Sequence, residues 1–171
     1  SCSSMKTLIR FSILTALFSF AFHSMSAEFT VEKTKGGVTV KYKGKLFTRY
    51  VVGQSNKPFM WPIIGPNGNE VTRAFPMKKR EGERHDHPHH RSLWFGHQGI
   101  GGFDTWHEPA SGRKTNLGST VHREFVKAQG GDTAVIVTRN DYVGGGKKLL
   151  ADERTHTFKV EKGQRIIDVD I

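Results

Sequence analysis

From Glu28 onward no window of the chain sustains a helical period for more than a few residues, and this narrows its possible folds more than any other feature. Apolar and polar residues alternate in short runs instead, beginning with Phe29-Thr30-Val31-Glu32 and Val38-Thr39-Val40-Lys41-Tyr42 around Gly36-Gly37. Period-two alternation on both sides of a glycine pair specifies a hairpin. Lys43-Gly44-Lys45, between Lys41-Tyr42 and Leu46-Phe47, predicts a second tight turn. The apolar run Phe59 to Ile64 predicts a strand, which Pro62 demotes to an edge or a bulged one. Gly65-Pro66-Asn67-Gly68-Asn69 is turn chemistry leading to a short strand over Glu70 to Ala74, and Lys78 to Arg84 reads as an exposed loop. Val121 to Val126, Thr133 to Tyr142, Arg154 to Val160 and Gln164 to Ile171 complete the set, separated by Gly130-Gly131, Gly144-Gly145-Gly146 and Lys162-Gly163. Eight or more short strands with glycine-rich turns predict an all-β protein, an antiparallel β-sandwich over 28–171 in a single domain, with a barrel as the alternative. The last run stops in mid-pattern at Ile171, as a fragment of a longer, C-terminally incomplete sandwich would.

The first 27 residues have a different character. Met5-Lys6 and Arg10 precede the apolar run Phe11 to Phe22, which exits through Ser24, Ser26 and Ala27. These are the three parts of a secretory signal peptide, and the apolar run is shorter than the roughly 20 residues a spanning helix needs. The expectation is a periplasmic or secreted protein with no stable membrane span once the signal is cleaved. Cys2, the only cysteine, lies in this leader, so a disulfide framework, a thiolate nucleophile and a cysteine zinc site are all excluded downstream. Lys6 and Arg10 also lie there; 24 of the 26 basic residues and all 16 acidic ones remain, a formal charge of +8. A basic balance on an exported domain suits an anionic partner such as an acidic polysaccharide. No nucleic-acid motif accompanies it, and nucleic acid is not expected as a partner.

Six of the nine histidines fall between positions 85 and 107: His85, His87, His89, His90, His97 and His107. In an extended chain His85, His87 and His89 project to one face, and Asp86 and His90 to the other. Leu93-Trp94-Phe95 reads as a strand entering the core with His97 at its far end, and Gly101 to Glu108 as a return segment. Neutral imidazole binds divalent metals, and its near-neutral pKa also suits proton transfer. Two chemistries therefore stay open: a divalent metal held by about three ligands from His87, His89 or His90, and His97 or His107, with His87, His89 and His90 the first choice and Asp86 or Glu108 in reserve, or metal-free acid–base work by His87, His89 or His97. Arg91 and Asp86 are candidate substrate contacts, with Trp106 either core or a sugar platform.

The string Asp86-His87-Pro88-His89-His90-Arg91-Ser92-Leu93-Trp94-Phe95-Gly96-His97, followed by Gly102-Phe103-Asp104-Thr105-Trp106, resembles the signature of a bacterial family labelled PmoA-like. Lys57-Pro58-Phe59, Pro62, Gly65-Pro66-Asn67-Gly68 and Val71-Thr72-Arg73 are similar to it as well. The resemblance implies a sandwich related to the galactose-mutarotase-like supersandwich and a carbohydrate setting. The label's methane oxidation does not fit, because a membrane monooxygenase subunit needs several spanning helices and nothing after Phe22 is long and apolar enough. The expected function is an exported carbohydrate-active enzyme of hydrolase, lyase or epimerase type. The alternatives are a metal-dependent enzyme and a non-catalytic glycan-binding module.

Overall fold

A computed structural model describes residues 27–113 and 116–171. The predicted leader lies outside the described residues apart from Ala27. The chain is all-β in two antiparallel sheets: β1 (Phe29–Thr34), β2 (Gly37–Tyr42), β3 (Lys45–Val51), β4 (Phe59–Ile63) and β5 (Leu93–Trp94) in sequential order, then β6 (Ser119–Gln129), β7 (Ala134–Gly144), β8 (Lys147–Glu161) and β9 (Gln164–Asp170), also in order. Among the described residues the one helical element is a 3₁₀ turn at Pro109–Ser111, and no helix is long and apolar enough to cross a membrane.

Three hairpins are closed by two-residue turns in which both residues have positive φ: Lys43-Gly44 (48° and 74°), Gly145-Gly146 (56° and 74°) and Lys162-Gly163 (49° and 79°). That geometry matches the right-handed twist of the strands it joins. The two sheets are stitched at one corner, where Phe29 and Gly131 exchange backbone hydrogen bonds of 2.8 and 3.1 Å. Phe29, Val38, Val40, Phe47, Tyr50 and Met60 of the first sheet pack against Ala134, Ile136 and Phe158 of the second.

Three expectations need correction. The strands β6, β7 and β8 run for 11, 11 and 15 residues, longer than their alternation indicated. Register shifts at His122/Glu124, Phe125/Lys127 and Tyr142/Val143 break the period, and a bulge hides strand length from a period-two reading. Of the two expectations for Pro62 the edge fails, because the two-residue β5 pairs outside β4, and the irregular strand holds, because the register against β3 shifts between the pairs Tyr50–Met60 and Thr48–Ile63 that flank Pro62. Glu70 to Ala74 is not a strand: a single bridge joins Glu70 to Ile64, and the Ala74 and Phe75 amides donate to the Glu83 carboxylate instead of to a ladder.

The inner face of the second sheet is chemically divided. On β7 the residues Ala134, Ile136, Thr138, Asn140 and Tyr142 are all buried, as are Arg154, His156 and Phe158 on β8. One half of the sandwich is thus filled by aromatic and aliphatic groups, and the other by a polar network.

The long connections between β4 and β6 rest on that second half. Phe103 packs its ring directly onto Gly144, where a β-carbon would overlap the ring. Gly144→Ala is expected to lose about 1–3 kcal/mol through overpacking, read as a lower urea midpoint, and to displace the neighbouring Asp104.

Candidate functional site

The histidine segment is gripped at both ends. His87 (φ 47°) and Ser92 (φ 66°) both take left-handed conformations, which are unfavourable for residues with a β-carbon and cluster at functional sites. The segment 72–73, predicted as strand, supplies the brace. Arg73 donates to Asp86 Oδ1 (2.8 Å) and to the Asp86 and His87 carbonyls (2.9 and 3.0 Å), and Thr72 shares a 2.7 Å hydroxyl bond with Ser92. The His90 amide closes the turn onto the His87 carbonyl at 2.9 Å.

Four imidazoles meet as a result. His89 is buried, with its ring centroid 4.4 Å from those of both His90 and His107, and His87 stacks on His90 at 5.0 Å. Trp94 and Trp106 cross edge to face at 4.5 Å beside them, His90 lying 6.1 and 6.2 Å from the two indoles, and Trp106 stays 36% exposed.

His107 is oriented by a carboxylate. Its Nδ1 lies 2.8 Å from Asp104 Oδ2, while Asp104 Oδ1 accepts the Trp106 and His107 amides at 2.9 and 3.1 Å. Burial opposes ionisation of Asp104, but these amides and the imidazole together hold its carboxyl below the usual range. An ionised Asp104 accepts the Nδ1 proton, which leaves Nε2 as the basic nitrogen. The exposed Arg113 guanidinium reaches Nε2 at 3.2 Å. His89 differs in kind: burial first, then the neighbouring His90, His107 and Lys57, push its pKa down to about 4, so it is a neutral imidazole at pH 7. Its Nδ1 has no partner among the described residues. Burial and His87 also lower His90.

Beneath the rings lies a charge network that the sequence did not announce. Lys57 is fully buried; its ammonium donates to the Trp106 carbonyl at 2.7 Å, lies 3.7 Å from Glu108 and sits 4.5 Å over the Trp94 ring. Burial brings its pKa down to about 8 against the opposing pull of Glu108. Asn56 donates to the His107 and Gly118 carbonyls at 2.7 and 3.0 Å. The lysine and asparagine that precede β4 thereby hold the loop that carries Trp106 and His107. No local signal marks residues that act across about fifty positions. A carboxylate three residues before a histidine, Asp104 and His107, was a legible signal that the sequence reading passed over.

The other predicted residues fare differently. Arg91 spends Nε and Nη2 on Glu108 at 2.8–3.1 Å, so it braces the site. Asp86 is held by Arg73, Arg84 and His87. His85 stacks on Phe75, outside the cluster. His97 is exposed, its Nδ1 2.7 Å from the Gln98 carbonyl, while its backbone pairs with Thr105; the structure does not bring its ring to the others. The secondary candidate His107 takes its place. Among the described residues no three His, Cys, Asp or Glu side chains gather as a metal-holding group. His87 and His90 stack at 20° and His89 meets both edge to face, so the predicted set His87, His89 and His90 is among those that do not gather in this way.

No curated protein and no solved structure matches the chain. A family model described as a family of unknown function, DUF6807, matches residues 37–171, which take in every strand except β1 and every residue of the cluster. The chain therefore belongs to the DUF6807 family.

Proposed function

We propose that this chain is an exported, carbohydrate-active enzyme that performs acid–base chemistry on a sugar at the His89–His107 cluster. The observation that carries the reading is the Asp104-oriented His107, in ring contact with the neutral, buried His89 and next to the exposed Trp106. A carboxylate-held imidazole whose Nε2 is met only by the exposed Arg113 side chain, which a substrate can displace, is suited to take a proton from a hydroxyl or a carbon-bound position, and a neutral imidazole beside it can donate or accept without adding charge. An indole face next to such a pair suits the apolar face of a pyranose. The finer likeness to the PmoA-like group, with its supersandwich architecture and carbohydrate setting, supports the same reading. So does the basic charge, which favours an acidic glycan. The leader-like pattern of residues 1–27 supports the export part of the proposal, to the periplasm or beyond.

Incubation of the protein with neutral and acidic plant and algal glycans, followed by chromatography of the products, tests the proposal. Turnover is expected to fall about a hundredfold in His107→Gln. Asp104→Asn is expected to shift the pH profile, and Trp106→Ala to raise KM more than it lowers kcat. Full turnover in both His107→Gln and His89→Gln sinks the assignment. Saturable, salt-sensitive glycan binding with no product after long incubation would support the second reading, a glycan-binding module, which the exposed Trp106 favours.

A further inference from the structure

A cavity of about 170 Å³ opens at the polar end of the sandwich, with Tyr50, Arg154 and His156 deep in it and the exposed Phe95, Val169 and Ile171 at its rim; it shares Trp94 with the surroundings of the histidine cluster. Phe59, Trp94, Phe95 and Val169 supply an apolar wall, and Arg154 and His156 interrupt it. An engineered apolar cavity of about 150 Å³ holds benzene, so the space is one ring in size.

Its polar groups are selective. Arg154 is buried, with Nε and Nη2 committed to Asp152 (2.8 and 2.7 Å) and Nη2 also to the Tyr142 hydroxyl (3.0 Å). None of its hydrogen bonds among the described residues uses Nη1. The pairing with Asp152 leaves the wall without net charge, so an anion gains little and meets a carboxylate behind the guanidinium. His156 is 5% exposed and packs 5.2 Å from the Tyr50 ring. Its Nδ1 has no hydrogen-bond partner among the described residues. Burial keeps the imidazole neutral at pH 7, and in the tautomer that carries its proton on Nε2 this leaves Nδ1 an unused acceptor inside the protein. Buried acceptors are normally satisfied, and one lining a ring-sized space suits a ligand that brings a donor.

We propose that this cavity binds a neutral one-ring hydroxyl compound, of which phenol is the simplest, its ring against Phe59, Trp94 and Phe95 and its hydroxyl donated to His156 Nδ1. The guanidinium of Arg154 on the same wall favours oxygen over carbon at that end. The site borders the acid–base cluster through Trp94 but uses none of its imidazoles.

Titration of the full chain with phenol, toluene and benzoate, followed by tryptophan fluorescence and thermal shift, tests it. Phenol is expected to bind saturably and about tenfold tighter than toluene, the scale of one hydrogen bond to a buried acceptor, and benzoate to bind no better than toluene. In His156→Phe the advantage of phenol over toluene should vanish. No saturable binding, equal binding of phenol and toluene, or an unchanged preference in a folded His156→Phe protein overturns the proposal. Where that variant does not fold, the ¹⁵N shift of His156 Nδ1 in the unsubstituted protein decides: movement on phenol addition supports the site, and its absence overturns it.

Discussion

Glu108→Ala is expected to destabilise the protein by about 3–5 kcal/mol, the usual result of removing one partner from a buried ion pair. The carboxylate stands between two cations that have little or no access to water. The Lys57 side chain is 0% exposed, and Arg91 is 15% exposed and clamps Glu108 through two nitrogens. Burial opposes ionisation of Glu108, yet the bonds from Arg91, the charge of Lys57 and the Ser55 hydroxyl hold its carboxyl below the usual range. Without it Lys57 keeps the Trp106 carbonyl as an acceptor but faces Arg91 uncompensated, and its pKa should fall further below about 8. For a chain of this size the loss corresponds to a fall in Tm of roughly 6–20 °C, read by far-ultraviolet circular dichroism. Glu108→Gln should lose less, because it still accepts from Arg91 and Ser55. Adding Lys57→Met to Glu108→Ala should restore part of the loss, since the stranded ammonium is then gone. A Glu108→Ala protein melting within a degree or two of the parent would place the loop's stability elsewhere.

This network marks the limit of what the residues alone disclose. Turns are local, so the glycine signals at Lys43-Gly44, Gly145-Gly146 and Lys162-Gly163 identify the hairpins and with them the antiparallel class. Bulges are also local but cancel the signal that would locate them, so β8 begins at Lys147 where alternation suggested Arg154. The histidine cluster was legible as a density of residues and not as a geometry. His97 and His107 are equally histidine in the sequence; what separates them is that Asp104 turns one ring inward while Thr105 pins the backbone of the other at the surface. Arg91 next to a histidine-rich turn invites a substrate role, and only the position of Glu108, seventeen residues on, discloses the brace it forms. Lys57 and Asn56 carry no mark of function, because their effect lies in reaching across the fold to the carbonyls of Trp106 and His107.

Acid is expected to destabilise the protein well before its carboxylates titrate. His89 in the cluster and His156 on β8 are both buried, and burial, the largest cause for each, pushes both down to about 4; repulsion from His90 and from Arg154, respectively, adds to it. In the unfolded chain each returns to about 6.5. Above that pH both states are neutral and the histidines make no difference. Between about 6.5 and 4 the unfolded chain takes up protons that the folded chain refuses, so stability falls as pH falls, and below about 4 the two states again bind equally. At about 1.4 kcal/mol per unit the loss is roughly 2–4 kcal/mol for each histidine. His122, also lowered by burial, adds in the same window. Asp104, Glu108 and Asp141, held below the carboxylate range by their hydrogen bonds and cationic partners, lose their contribution only as pH falls below about 4.5. The two phases are therefore separable. Urea unfolding at intervals from pH 7.5 to 3.5 should show a first decline centred near pH 5. A double His89→Gln, His156→Gln protein should lose most of that decline while keeping the one below pH 4. A parent protein whose stability is flat from pH 6.5 to 4.5 would mean that these imidazoles are not held neutral by the fold.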